Sequence, residues 1–522
     1  MTLNLLIGIG GTGAKIVEAV VHASAAGLGP DNLHIALVDQ DRSNGNVSRA
    51  LDTMQQVREA RALWRQQGAA HHIGQSDFLH TDVLPIGEGH WIPHRDQRMT
   101  LRDVLGDLGK DQSLFDLLFD RETEQALELD EGYRGRAHIG STAITSAVEH
   151  GEDAFWTSVF DLIRQARGGD KVRLVLAGSV FGGTGASGFP TLARLIRRFL
   201  DKESIGANFA LGGVLMLPYF RFDKPDDENA NVARSEDLLP QTRGALRYYA
   251  ALRERENVFD ELMMVGWDQT FNLGYHRHGT GDQRNPALLP ELVAALGACR
   301  FFDHEHEPQP GVLVTARESE GSFSWSDVPP LERDEDQVYQ KLGKQLRFAA
   351  AWKFWAPILA KKQGIWRSPF ARQAWYKQFG IGAIDYDRSP PDDELKAISR
   401  YVDKLIEWAA SIQIYAPRAN LKFNLWNVER LLDGPANYDL PQYPVRVAEA
   451  IDEEGFGQAS RDILQARVPS HSLTDASWLL NQLNRGRPGE GTAGLGGIVS
   501  ALHNGSAAIE AQSNGGVADG RL

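Results

Sequence analysis

Two glycine clusters are the residues of this 522-residue chain best suited to chemistry. The first, Gly8-Ile9-Gly10-Gly11-Thr12-Gly13, follows the apolar run Leu3–Ile7 and precedes Ala14–Ser24, where apolar residues recur at helical spacing. The second, Gly182-Gly183-Thr184-Gly185-Ala186-Ser187-Gly188, follows Val172–Ala177 and precedes Pro190–Leu200, again helical in pattern. A glycine loop between strand and helix lets backbone approach phosphate oxygens, and the helix N-terminus adds unpaired N–H groups and a favourable dipole. The first cluster satisfies G-x-G-x-x-G, with Asp39 closing the next strand, so NAD bound by an oxidoreductase is one reading of it. It is not a P-loop, because Ala14 follows Gly13 where a Lys-Ser/Thr pair is required. A dinucleotide site uses one such turn. Two helix N-termini from one parallel sheet suit a nucleoside triphosphate held by backbone N–H groups and small hydroxyls. The plain alternative for either loop is a tight strand–helix corner.

The elements needed to position these loops can be read on either side of them. His34–Val38 makes a second strand after the first helix, so residues 3–41 form a βαβ unit and imply a parallel sheet. Phe209–Leu217 and Glu261–Trp267 read as further buried strands, separated by a helix over Leu238–Glu254. This alternation predicts a Rossmann-like, doubly wound α/β domain over residues 1–285. Residues 42–132 read as a polar insertion with helical pieces such as Val47–Gln67. Residues 286–307 hold a long apolar helix, 308–483 a second, smaller α+β domain that includes the apolar piece 379–386, and 484–522 a flexible Gly-rich tail.

The second glycine cluster, with its preceding strand and Pro190, resembles the signature loop of the tubulin/FtsZ superfamily, GGGTGSG in tubulins and GGGTGTGAAP in FtsZ. "LLIGIGGTGAKIVEAV" resembles the first nucleotide loop of FtsZ, "HIALVDQD" its second strand and loop, and "YRGRAHIGSTAI" the third loop. The resemblance runs in order over roughly residues 1–305 and is closest to divergent bacterial tubulin-like proteins. It departs at Phe181, where the signature has its first glycine, and at Ser187, where FtsZ has a later one. The resemblance implies GTP/GDP with Mg²⁺, held by Gly10, Gly11, Thr12, Gly13, Asp39, Asp41, Gly135, Arg136, Ser179, Phe181, Gly182, Gly183, Thr184 and Gly185. Base contacts would come from around Asp268 and Asn285. Guanine specificity comes from the resemblance and is not read from these residues. The helix 286–302 would be the family's central helix. A loop beyond it supplies carboxylates to the next subunit's nucleotide, so that hydrolysis follows head-to-tail assembly into filaments or rings. Asp303, Glu305, Glu307 and Asp327 are the candidates. A scaffold that binds nucleotide without turning it over is a further reading.

Composition excludes several classes. One cysteine, Cys299, rules out an internal disulfide framework and fits a reducing compartment. A net charge of −14 argues against a surface devoted to nucleic acid. No apolar run is long enough for a membrane span, so a cytoplasmic protein is expected. His304 and His306, in an acidic loop, read as exposed side chains before they read as metal ligands. One stretch runs against the overall charge: residues 337–384 hold nine Lys and Arg and no Asp or Glu. They also hold Trp352, Trp355, Trp366 and Trp375. The aromatics read as core, but a one-sign surface predicts an acidic protein partner, the next subunit's nucleotide domain, with nucleic acid second.

Overall fold

The computed structural model describes residues 2–66, 78–95, 99–129, 132–133, 135–149, 153–223, 238–274, 284–317, 321–329, 331, 337–361, 369–378, 392–439, 443–463, 484 and 494–518. Its centre is a seven-stranded sheet in the order β3-β2-β1-β4-β5-β7-β9, every neighbouring pair parallel. The strands are β1 Thr2–Ile9, β2 Asn32–Val38, β3 Asp82–Trp91, β4 Lys171–Ser179, β5 Phe209–Met216, β7 Glu261–Trp267 and β9 Val312–Arg317. A short parallel pair, β6 Phe220–Arg221 with β8 Phe271–Asn272, lies apart from it. Strands β1, β4 and β7 are apolar runs without alternation because helices cover both faces of a parallel sheet.

The helices around the sheet are α1 Gly10–Ala25, α2 Gly45–Gln66, α3 Leu101–Leu105, α4 Gln112–Leu118, α5 Ala137–Glu149, α6 Ala154–Arg164, α7 Thr184–Glu203, α8 Leu238–Arg255 and α9 Leu289–Phe302. Their amphipathic or fully apolar sequences seat them on the sheet, with α9 and α2 packed along α1. The doubly wound α/β architecture expected from the sequence is present.

Several boundaries differ. Residues 42–132 are no insertion: α2 covers one face and β3 pairs with β2 from Asn32↔Asp82 to Val38↔Trp91. Helix α9 ends at Phe302, and the chain then returns as β9, paired with β7 from Leu262↔Val312 to Trp267↔Arg317. It is a crossover helix of the sheet, so the sheet extends beyond residue 308. The remaining described chain is mostly helical: α10 Gln337–Leu359, then helices Asp392–Tyr415 and Glu453–Asp462, with one parallel pair, β10 Gly321–Ser324 and β11 Leu421–Asn424. Their apolar side chains join the sheet's core without a break. Arg400–Glu59 (2.8 Å), Lys404–Asp52 (2.7 Å) and the stacking of Trp408 on His22 fix helix 392–415 to α2 and α1.

The expected flexible tail also differs. Leu495–Ala518 is a helix whose Leu495, Ile498, Val499 and Leu502 are buried, and it packs on α10. The apolar piece 379–386 and Trp366 lie outside the described residues. Among the described residues no helix is long and apolar enough to cross a membrane.

Candidate functional site

The strand order reverses between β1 and β4, and both glycine loops leave the carboxyl ends of those two strands. In open α/β sheets ligands bind in the crevice at this switch point. The loops meet there. Gly10 has φ +72, and a Cβ on it would lie 3.0 Å from the Gly185 amide nitrogen, so only glycine permits the approach. Helix α1 thus starts against helix α7. Neither N-cap residue, Ile9 or Gly183, makes a side-chain cap, and neither first turn carries an acid. Two uncapped helix N-termini therefore face one crevice, where anions are favoured. Gly182, with φ +79, is exposed and has open space where a Cβ would be; Gly11 and Thr12 are half-buried.

Asp39 binds the loops together. Its Oδ1 accepts from Thr184 Oγ1 (2.8 Å) and from the Asp41 amide (3.2 Å), and its Oδ2 accepts from Asn44 Nδ2 (2.7 Å). Burial pushes its carboxyl up to about 6, opposed by the Thr184 hydrogen bond and assisted by the charge of Asp41. Beside it lies Tyr133, whose buried hydroxyl has no hydrogen-bond partner among the described residues. The Thr184 hydroxyl is committed to Asp39, which leaves its backbone N–H as the group offered to a ligand. Ser179 Oγ donates to the Phe181 carbonyl (2.8 Å), and Phe181 packs on Phe220. These two side chains shape the loop from within and do not line the crevice. Asp41 accepts from the Ser43 amide and hydroxyl in a local turn. The third loop reaches the site through Gly132, whose Cβ would sit 3.8 Å from the Asp41 Cβ. Gly135, with φ +77, lines a neighbouring groove, and Arg136 donates to the Thr123 carbonyl.

The sequence reading missed a buried polar layer behind the first loop. The Tyr219 hydroxyl donates to Glu291 (2.7 Å) and accepts from Thr12, and Lys15 pairs with Glu291. Burial lowers the Lys15 pKa, and the Glu291 charge opposes that shift. Arg49 pairs with Glu18 (2.7 Å) and donates to the Asn285 carbonyl and to the Tyr443 hydroxyl. The Asn285 amide donates to Asn46 Oδ1 (2.9 Å), and Asn46 lies beside Gly11. Asn285 is therefore at the site. Asp268 is not: it is exposed beside β9, three strand spacings from β1, or about 14 Å at ~4.8 Å per spacing. The only sequence signal for the missed residues was the polar turn Ser43-Asn44-Gly45-Asn46.

The candidate carboxylates lie at two different places. Asp303, Glu305 and Glu307 follow α9 at the amino ends of the strands, where Arg173 of β4 donates to the carbonyls of Phe301 and His306 (both 2.6 Å). That edge is roughly 25 Å from the glycine loops, the length of an eight-residue strand. Asp303 Oδ1 accepts from the Glu305 amide (3.0 Å). His306 corrects its expected exposure: it is buried, with Nε2 2.9 Å from Glu261 Oε2. Asp327 is at the opposite edge near Trp267 and Arg317, its carboxylate accepting from the Ser324 amide (2.7 Å) and hydroxyl. It cannot join the Asp303 group.

The basic stretch also needs correction. Lys344, Arg347 and Lys353 are buried in α10 with Trp352 and Trp355, and Trp375 is buried in the short helix Ala374–Gln378. Lys353 pairs with Asp403, Arg347 Nε donates to the Ser506 carbonyl, and Lys341 Nζ donates to the Gly27 carbonyl. The α10 part is an internal joint and the described tryptophans are buried, so no base-stacking aromatics are presented there; of the described cations, Lys361, Arg372 and Lys377 are exposed.

No protein-family model, curated protein or solved structure matches the chain. Among the described residues no three His, Cys, Asp or Glu side chains form a metal cage.

Proposed function

We propose that this chain binds a nucleoside triphosphate, GTP by its resemblance to tubulin and FtsZ, and hydrolyses it on head-to-tail self-assembly. The observation that carries the reading is the meeting of two uncapped helix N-termini at Gly10 and Gly185, on the two strands that flank the switch point. One glycine turn serves a dinucleotide pyrophosphate, whereas two adjoining turns can wrap a triphosphate. The dinucleotide reading is weaker for a second reason. An acid at the end of β2 would have to accept from ribose hydroxyls, yet both oxygens of Asp39 already accept from Thr184, Asp41 and Asn44.

The backbone N–H groups of residues 10–13 and 182–185 would position the phosphates, and Mg²⁺ would spread the charge that develops on the transferred group. Asp303 and Glu305 are too far from their own chain's loops to act on them. Stacking copies with the amino edge of one sheet over the carboxyl edge of the next brings these carboxylates to the neighbour's terminal phosphate, where they would position water.

Equilibrium binding and turnover test the reading. One GTP should bind per chain in preference to NADH, and specific activity should rise with protein concentration. Asp303→Ala/Glu305→Ala should bind GTP as the wild type does and lose that rise. A preference for NADH, or a specific activity flat from dilute to concentrated protein, would refute it.

A further inference from the structure

Seven large hydrophobic side chains are exposed among the described residues, and five of them lie on two short stretches of surface. Helix α4 turns Phe115 inward and holds Leu114, Leu117 and Leu118 outward, 54%, 81% and 59% exposed. Their i, i+3, i+4 spacing makes one apolar ridge, the pattern by which a helix anchors in a groove. The other stretch is α8, with Leu239 and Tyr248 exposed. Tyr248 forms one wall of a groove of about 640 Å³ between α5, α7 and α8, with Val180, Ala186, Pro190 and Ala245 also lining it. Ridge and groove adjoin, because His138 lines the groove and stacks on Phe119, the residue just after α4, at 5.8 Å.

Their charges are opposite. Residues 99–129 carry eight Asp and Glu against three Lys and Arg, while α8 carries four Arg against Glu254 alone. Arg243 and Arg247 are exposed on α8, as are Asp107, Asp111 and Asp120 around α4. A ridge and a complementary groove side by side on one chain fit a two-fold pair, in which each ridge meets the other copy's groove and the contact closes. Complementary fields around an apolar centre are the pattern of a specific interface.

We propose that two copies of this chain pair about a two-fold axis, the Leu114–Leu117–Leu118 ridge of each docking in the α5–α7–α8 groove of the other. The groove borders the carboxyl edge of the sheet at Gly135, Val180 and Ala186, so the pairing is tested without nucleotide, apart from head-to-tail stacking.

Sedimentation equilibrium of the full chain without nucleotide should show a dimer that weakens as salt rises. Leu117→Asp should weaken it by roughly tenfold or more, the loss expected for one buried leucine, with no change in the melting temperature measured at a dilution where both proteins are monomeric. Ala245→Trp, which fills the groove, should do the same. Leu117→Cys/Ala245→Cys should oxidise to a covalent dimer, since the single native cysteine is buried. The proposal fails if the wild type is monomeric throughout or if Leu117→Asp dimerises unchanged. It fails equally if Leu117→Asp lowers the melting temperature of the diluted monomer, or if the two new cysteines close within one chain; either result would mean that the chain covers the ridge itself.

Discussion

Asp39 is the side chain whose replacement reports most directly on the crevice. Burial raises its carboxyl from 3.8 to about 6, so between those values the folded protein binds more protons than the unfolded chain. Stability tied to Asp39 is therefore complete below 3.8 and is lost as pH rises through 6. A shift of about two units corresponds to a loss on the order of 3 kcal/mol above neutral pH. Asp39→Asn abolishes the loss but returns only part of it. Asn44 must turn its amide to accept from the new one, giving up its own bond from the Asn46 amide (3.0 Å), at about 1 kcal/mol. The variant should then be about 1 kcal/mol less stable than wild type near pH 4 and about 2 kcal/mol more stable above pH 7. The wild-type profile alone conceals this effect. His22 is stacked on Trp408 at 4.9 Å, and neither ring nitrogen has a hydrogen-bond partner among the described residues. Burial drives it down from 6.5 to about 4, so its contribution is complete above 6.5 and is lost as pH falls toward 4. The two slopes are opposite and of similar size, and their windows overlap. Urea unfolding of wild type, Asp39→Asn and His22→Phe from about pH 4 to about pH 8 separates them. The Asp39→Asn difference should grow with pH and the His22→Phe difference should shrink. A difference for Asp39→Asn that is flat or of opposite slope would show that its carboxylate is solvated, and the closed crevice would be wrong.

Lys15→Met leaves the Glu291 carboxylate buried with no cation, held only by the Tyr219 hydroxyl and the Leu288 amide, and should cost about 3–5 kcal/mol, read as a fall in melting temperature; Lys15→Met/Glu291→Leu should recover much of it. Gly185→Val should lower the melting temperature, at an overpacking cost of about 1–3 kcal/mol, because even a Cβ there would lie 2.8 Å from Ser179 Oγ. Gly182→Ala, in open space at φ +79, should cost about 1 kcal/mol and leave the fold intact by circular dichroism. Removing residues 494–522 strips four buried apolar side chains from α10, together with the Ser500 partner of Trp64. At about 1.5–3 kcal/mol per side chain, the truncated chain should lose its cooperative melt.

What could be read in the sequence, and what could not, divides by where each group's partner lies. A strand–glycine–helix corner is local, so both loops and their helices are legible. Their convergence also follows without contact information, because a parallel sheet puts every strand's carboxyl end on one edge. Asp39 and Thr184 are 145 residues apart, yet both sit on that edge. Strand β3 is missed because Pro85, Gly87 and Gly89 interrupt its apolar pattern, and β9 because six residues after a Pro-Gly loop carry too little signal. The glycines, alanines and serines of 495–506 suggest a chain too poor in apolar surface to order itself. Small residues, however, let a helix lie close against α10, and burial of four larger side chains outweighs the propensity cost. The basic stretch misleads for the same physical reason. Composition records that Lys353, Arg347 and Lys341 have no acid nearby in sequence, but Asp403, the Ser506 carbonyl and the Gly27 carbonyl reach them through the fold. A run of one charge is therefore evidence of a surface only where the helix carrying it is amphipathic. In α10 the cations share the buried side with Trp352 and Trp355, and that arrangement requires partners inside the molecule.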